Sequence, residues 1–198
     1  MSDILLIARA WNFSAERHAK QRRKGDAQEP YVNHLAEVAE LVATATEGRD
    51  ANLVAAAVLH DTVEDTATLL GELASVFNAD IAGLVAEVTD DKRLDKLERK
   101  RLQVAHAGAK SARAKILKLA DKTSNVRSLA KSPPSDWSLE RKLEYLAWSK
   151  DVVKGLRGAN KWLEARFDEA AEQLERSLRL DQPRGRCTER QEKQHAPK

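Results

Sequence analysis

Apolar positions recur at helical spacing along almost the whole chain. Leu5, Leu6, Ala8, Ala10, Trp11 and Ala15 outline an amphipathic helix between Asp3 and His18. Leu35, Val38, Ala39, Leu41 and Val42 outline a second, for which Asn33 is the predicted N-cap and His34 a first-turn residue. The run Leu53-Val54-Ala55-Ala56-Ala57-Val58-Leu59 is apolar on every side and predicts a buried helix, entered through Glu47-Gly48-Arg49-Asp50. Thr66-Ala67-Thr68 is a candidate cap for a helix through Leu69, Leu70, Leu73, Val76 and Phe77, and Ile81, Leu84, Val85 and Val88 mark the next. Leu97 to Ala109 reads as a charged helix, and Ile116, Leu117 and Ala120 form the apolar stripe of another. Ser132-Pro133-Pro134-Ser135-Asp136 is the clearest loop. Beyond it Trp137 to Leu156 predicts a long helix, Gly155 and Gly158 a bend, and Trp162, Leu163, Phe167, Leu174 and Leu178 a final helix. Alternating strand patterns, repeats and Gly-rich phosphate loops are missing from the sequence, so the expected fold class is all-α.

Composition narrows this to one helical domain over residues 1–180. The chain has 198 residues, 33% of them charged, with only 8 Gly and 5 Pro. Residues 181–198 have nothing apolar to bury and are expected to be a disordered polar tail. That tail carries part of the formal net charge of +3, so any affinity for phosphate must come from a local cluster rather than an overall field, and no nucleic-acid partner is expected. The single cysteine, Cys187, lies in the tail and excludes an internal disulfide. Leu5-Leu6-Ile7 is too short to span a membrane and follows no basic leader, so a cytoplasmic protein is expected.

Candidate chemistry begins at His60-Asp61-Thr62-Val63-Glu64-Asp65-Thr66, directly after the buried run. An imidazole and a carboxylate held in a core need a partner, and a divalent cation satisfies both. If the helix continues, Glu64 stands one turn beyond His60 and Asp65 one turn beyond Asp61. His34 at the start of one helix and Asp121 at the edge of another apolar stripe, with Asn125 one turn on, complete a two-histidine, two-carboxylate set from three helices. Nitrogen and oxygen donors without thiolate suit Mn²⁺, Fe²⁺, Co²⁺ or Zn²⁺, and positions left open on such an ion favour hydrolysis, with Glu64 and Asp65 as acid or base partners of water. Lys20, Arg22, Arg23 and Lys24 form either a solvated basic helix end or a phosphate clamp, with Arg23 and Lys24 as donors.

These residues resemble the HD-domain phosphohydrolases, and among them the RelA/SpoT-type small alarmone hydrolases. The likeness rests on Gln21 with Arg22-Arg23-Lys24, Pro30-Tyr31-Val32-Asn33-His34, the His60–Thr66 run, Val88-Thr89-Asp90-Asp91-Lys92, Lys96-Leu97-Glu98-Arg99-Lys100-Arg101, and Lys118-Leu119-Ala120-Asp121-Lys122 with Asn125 and Arg127. It implies a helical HD-domain bundle with a metal site in its core. It further implies a Mn²⁺-dependent hydrolase that removes pyrophosphate from the 3′ position of ppGpp or pppGpp. By resemblance His34, His60, Asp61 and Asp121 are the metal ligands, Glu64, Asp65 and Asn125 act on the attacking water, and Arg23, Lys24 and Tyr145 contact the nucleotide. Two departures stand out: Leu35 replaces a usual Pro, and Thr123-Ser124 replace a bulkier pair, which implies a larger nucleotide pocket. The competing readings are phosphate removal from another nucleotide such as NADPH and a non-catalytic nucleotide-binding domain.

Overall fold

The computed structural model describes residues 1–180; the expected tail and Cys187 lie outside the described residues. Ten α-helices make up this part: α1 (Asp3–Arg17), α2 (Val32–Ala45), α3 (Ala51–Leu59), α4 (Thr62–Asp65), α5 (Leu70–Val76), α6 (Ala79–Val88), α7 (Lys96–His106), α8 (Ala112–Lys131), α9 (Leu139–Leu156) and α10 (Lys161–Leu180). A 3₁₀ turn, Ala107–Ala109, links α7 to α8, and the described residues contain no strand, only an isolated bridge between Arg22 and Pro30.

The all-apolar segment is the centre of the packing. Leu53 to Leu59 are all buried, and α3 touches α1, α2, α6 and α8. Its alanines let those neighbours approach closely on every side, which a single apolar stripe would not permit. The entry to α3 follows from local chemistry. Gly48 sits at φ 67°, in the left-handed region where a side chain would be strained, and the Asp50 carboxylate accepts the Leu53 N–H at 3.0 Å. Arg113 of α8 grips the same carboxylate at 2.8 and 2.9 Å, tying the cap to another helix. On the far side α10 lies along α8, and α9 packs on α7, α8 and the 3₁₀ turn. Gly155 makes that last contact possible, because a Cβ there would fall 2.7 Å from the Ala107 Cβ and 3.0 Å from the Gly108 nitrogen. The chain reversal after α9 is at Gly158, φ 90°, whereas Gly155 is helical.

Local details differ from the periodicity. Asn33 is not the cap of α2: the helix starts at Val32, its N-cap position is Tyr31 without a side-chain cap bond, and Asn33 is exposed. Likewise α5 begins at Leu70 with no side-chain cap, while Thr66 and Thr68 bond each other at 2.9 Å. Most consequential, the helix through the His-Asp pair does not continue. Side chains take two of the carbonyls near the end of α3, His60 Nδ1 at Ala57 O (2.8 Å) and the Thr62 hydroxyl at Leu59 O, in competition with the helical ladder. His60 and Asp61 therefore sit at the break between α3 and α4.

Candidate active site

Four side chains from three regions converge where α2, α8 and the α3–α4 break meet. His34 Nε2 lies 3.5 Å from Asp61 Oδ2 and 3.5 Å from Asp121 Oδ1. His60 Nε2 lies 3.0 Å from Asp61 Oδ2 and 3.9 Å from Asp121 Oδ1. Donor atoms of His34, His60 and Asp121, all three buried, fall within 4.8 Å of one another.

The hydrogen bonds fix which atoms face inward. A carbonyl only accepts, so His60 Nδ1 donates to Ala57 O and Nε2 turns toward the cluster. At His34 the same result comes through a relay: Arg127 donates to Glu37 Oε1 at 3.0 Å, the Ser124 hydroxyl donates to Glu37 Oε2 at 2.7 Å, and Ser124 Oγ accepts from His34 Nδ1 at 2.9 Å. His60 Nε2 is buried and has no hydrogen-bond partner, Asp61 being near but poorly aligned. Two inward imidazole nitrogens and the Asp121 carboxylate, with Asp61 beside both histidines, are the donor set of a divalent cation, and the orphaned nitrogen is what such an ion would satisfy.

Charge balance points the same way. Burial works against ionisation of Asp121, but Lys122, His34, Lys118 and His60 outweigh it and hold the carboxyl well below its usual range. Burial also opposes ionisation of Asp61, and His60 and His34 overcome it. For His60 burial disfavours the charged ring, yet Asp61 and Asp121 push it up to about 9. The carboxylate pair thus draws positive charge into the cluster.

Around this centre the wall is basic and aromatic. Lys118 and Lys122 are buried, with Nζ 3.7 and 3.6 Å from Asp121 Oδ2. Trp137, Tyr145 and Trp148 form a ladder with ring centroids 5.5 and 5.4 Å apart. Lys122 and Lys100 lie 4.3 and 4.8 Å from the Trp148 ring centre, and Arg141 lies 4.4 Å from that of Trp137. A cavity of about 250 Å³ adjoins this wall beneath the Thr89–Leu94 loop, lined by Asp90, Arg99, Gln103 and Lys118 among others.

Comparison with known proteins fits this geometry. An HD domain is matched over residues 10–146. The guanosine-3′,5′-bis(diphosphate) 3′-pyrophosphohydrolase MESH1 of Xenopus tropicalis is 48% identical over 167 residues, which cover 84% of this chain and 93% of that protein. The human MESH1 is 47% identical over 163 residues, 82% and 91% of the respective chains. The chain belongs to the HD-domain family, in its MESH1 branch. A solved structure of a metazoan orthologue of SpoT, described as hydrolysing ppGpp and acting in starvation responses, superposes with a TM-score of 0.82 at 43% identity, covering 85% of this chain and 94% of that one.

Within this HD-domain chain the remaining residues singled out from sequence divide in two. Glu64 is half-buried, accepts the Asp90 N–H at 3.3 Å and lies 3.5 Å from Lys92 Nζ and 3.8 Å from Arg99. Burial, then Asp90 and Asp61, raise its carboxyl above the ordinary value. Asp65 is more exposed, with Gln21 Nε2 at 3.0 Å on one oxygen and Lys92 at 2.9 Å on the other. Asn125 donates to Asp121 Oδ1 at 2.5 Å and accepts from Arg23 at 3.0 Å, so Arg23 reaches the site. Tyr145 is half-buried, and burial followed by the Asp121 charge raises its hydroxyl, which places it within electrostatic reach of the centre. Lys24 is exposed and makes no bond among the described residues. Thr123 and Ser124 do not open a pocket: both are buried, Thr123 bonded to Leu119 O at 2.8 Å and Ser124 serving His34. Sequence reasoning missed Lys118, Lys122 and the Ser124–Glu37 relay. The lysines left a signal, standing three residues before and one after Asp121 on a helix otherwise apolar at that point.

Proposed function

We propose that this protein is a metal-dependent (p)ppGpp 3′-pyrophosphohydrolase, converting the alarmone to GDP or GTP and pyrophosphate. The observation that carries the proposal is the clustering of His34, His60 and Asp121, with Asp61 beside both histidines and the His60 nitrogen buried without a hydrogen-bond partner. In this reading those four residues hold a divalent cation, Mn²⁺ first among Mn²⁺, Zn²⁺, Co²⁺ and Fe²⁺. When bound, such an ion supplies Lewis acidity toward a phosphoryl oxygen and toward water.

The chain's own residues supply the rest. Glu64, raised by burial and by its acidic neighbours, is a stronger base than an ordinary carboxylate and is the group suited to take a proton from water. Asp65, pinned on both oxygens, orients that water, and Asn125 couples Asp121 to Arg23. Arg23, Lys118 and Lys122 meet the phosphate charge, with Lys24 at the rim. The Trp137–Tyr145–Trp148 ladder with its lysines and Arg141 offers aromatic faces to a nucleotide base. Water bonds to the phosphorus on the 3′ oxygen, the 3′ O–P bond breaks, and pyrophosphate leaves as the 3′ hydroxyl regains a proton. A small-molecule nucleotide is therefore the expected partner, and no helix among the described residues is long and apolar enough to cross a membrane.

The test is incubation of purified protein with ppGpp and each of the four metals. GDP and pyrophosphate in equal amounts are expected with Mn²⁺; absence of pyrophosphate release with every metal overturns the proposal.

A further inference from the structure

His18 ends α1 and is almost wholly buried, yet it belongs to no part of the site described so far. Its ring is stacked on Tyr31, centroids 5.1 Å apart and planes at 20°. Its Nδ1 lies 2.5 Å from Gln21 Oε1, while Gln21 Nε2 lies 3.0 Å from Asp65 Oδ2. A carboxylate oxygen only accepts, so the Gln21 amide must present its NH₂ to Asp65 and its oxygen to His18, and His18 Nδ1 must carry the proton. The Tyr31 hydroxyl, in turn, donates to Asp61 Oδ2 at 2.6 Å. Backbone bonds hold the three residues together: Gln21 N–H to His18 O at 2.9 Å and Tyr31 N–H to Gln21 O at 3.1 Å.

We propose that His18 is a positioning residue that aligns both acidic groups of the site: through Gln21 it aims Asp65, and through the stacked Tyr31 ring it aims the hydroxyl that fixes Asp61. Three features favour this over simple core filling. In the Gln21 branch the bond directions are forced from Asp65 back to His18, so that chain of donors has one sense, while Tyr31 is held by its stack on the His18 ring. Both branches end on carboxylates to which the proposed function gives different roles, water orientation and metal binding. His18 Nε2 is buried without a partner, so the ring is kept for what Nδ1 and its face do. The inference rests on the proposed function for the roles of Asp61 and Asp65, but not for the alignment itself.

The experiment uses the full chain and three variants. In Tyr31→Phe the ring stays and the Asp61 bond goes, and Mn²⁺ affinity, measured without substrate by competition with a fluorescent chelator, is expected to weaken roughly tenfold. In His18→Phe the stack stays and the donor goes; kcat is expected to fall roughly tenfold with KM and Mn²⁺ affinity held within about twofold. His18→Asn places an amide NH₂ where Nδ1–H stands and recovers most of that loss. The side-chain amide signals of Gln21 in a ¹H–¹⁵N spectrum shift in His18→Phe and return toward the parent in His18→Asn, a readout that needs no turnover and persists if one variant is less stable. Unchanged Mn²⁺ affinity in Tyr31→Phe, or Gln21 signals equally displaced in His18→Phe and His18→Asn, overturns the proposal. A parent enzyme inert toward ppGpp would instead overturn the proposed function while the metal and amide readouts still decide the alignment.

Discussion

At the scale of single residues, Asp121 and Glu64 are neighbouring carboxylates that their surroundings shift in opposite directions. Asp121 compensates the two buried lysines beside it as well as facing the histidines. Asp121→Asn is therefore expected to abolish metal binding and to lower stability by about 3–5 kcal/mol, since Lys118 and Lys122 lose their shared counter-charge. Chemical denaturation together with metal titration checks both effects. Glu64 behaves oppositely. Burial, Asp90 and Asp61 raise its carboxyl above the ordinary 4.5, so between that pH and the raised value the folded chain keeps a proton that the unfolded chain has released. The stability contribution of Glu64 thus falls as pH rises through this window. Glu64→Gln is expected to match the parent in stability below pH 4.5 and to exceed it near neutral pH, while kcat drops on the order of 10²–10⁴-fold and the acid limb of the rate profile disappears. A Tm series across pH and a pH–rate profile test the two halves.

At the scale of elements, the basic loop between α1 and α2 depends on the end of α8. Gly25 lies against Ser132, where a Cβ would come within 2.8 Å of the Ser132 hydroxyl oxygen and clash with its carbonyl oxygen, and the Ser132 hydroxyl accepts the Ala27 N–H at 3.0 Å. Gly25→Ala should displace Arg23 from Asn125 and raise KM several-fold, roughly 1 kcal/mol of binding, more than it lowers kcat. Steady-state kinetics on the variant separates the two parameters. The α9 contact is equally tight: Gly155→Ala is expected to cost about 1–3 kcal/mol of stability by forcing α9 off the 3₁₀ turn. Its readout is Tm. These close approaches explain why the elements were legible and their junctions were not. Periodicity located most of the helices, because most bury an apolar face; α7 buries no residue and α4 only Thr62. It misplaced the starts of α2 and α5 and ran the α3 helix through His60 and Asp61, because helix ends answer to capping partners and competing side chains that lie outside the repeat.

For the whole molecule, the proposed cation site joins α2, the α3–α4 break and α8, so its occupancy would be linked to packing. Removal of the metal with a chelator should abolish hydrolysis and lower Tm, and Mn²⁺ at a hundred times its Kd should restore about 2.7 kcal/mol of stability. Thermal melts at graded Mn²⁺ measure this directly. Sequence by itself determined the helical class, the central buried segment and the four candidate ligands. Burial periodicity and the cost of an unpaired core charge act locally and leave a mark at each position. Tertiary structure alone decided the rest. Which nitrogen of each histidine faces the cluster depends on Ala57 O and on a relay through Ser124 and Glu37, the latter residues on different helices. Whether Thr123-Ser124 widen a pocket and whether Arg23 or Lys24 reaches the site depend on contacts between residues far apart in the chain, as does the alignment proposed for His18. Hydrogen-bond direction and packing arise only when those residues meet in space, and no spacing along the chain encodes them.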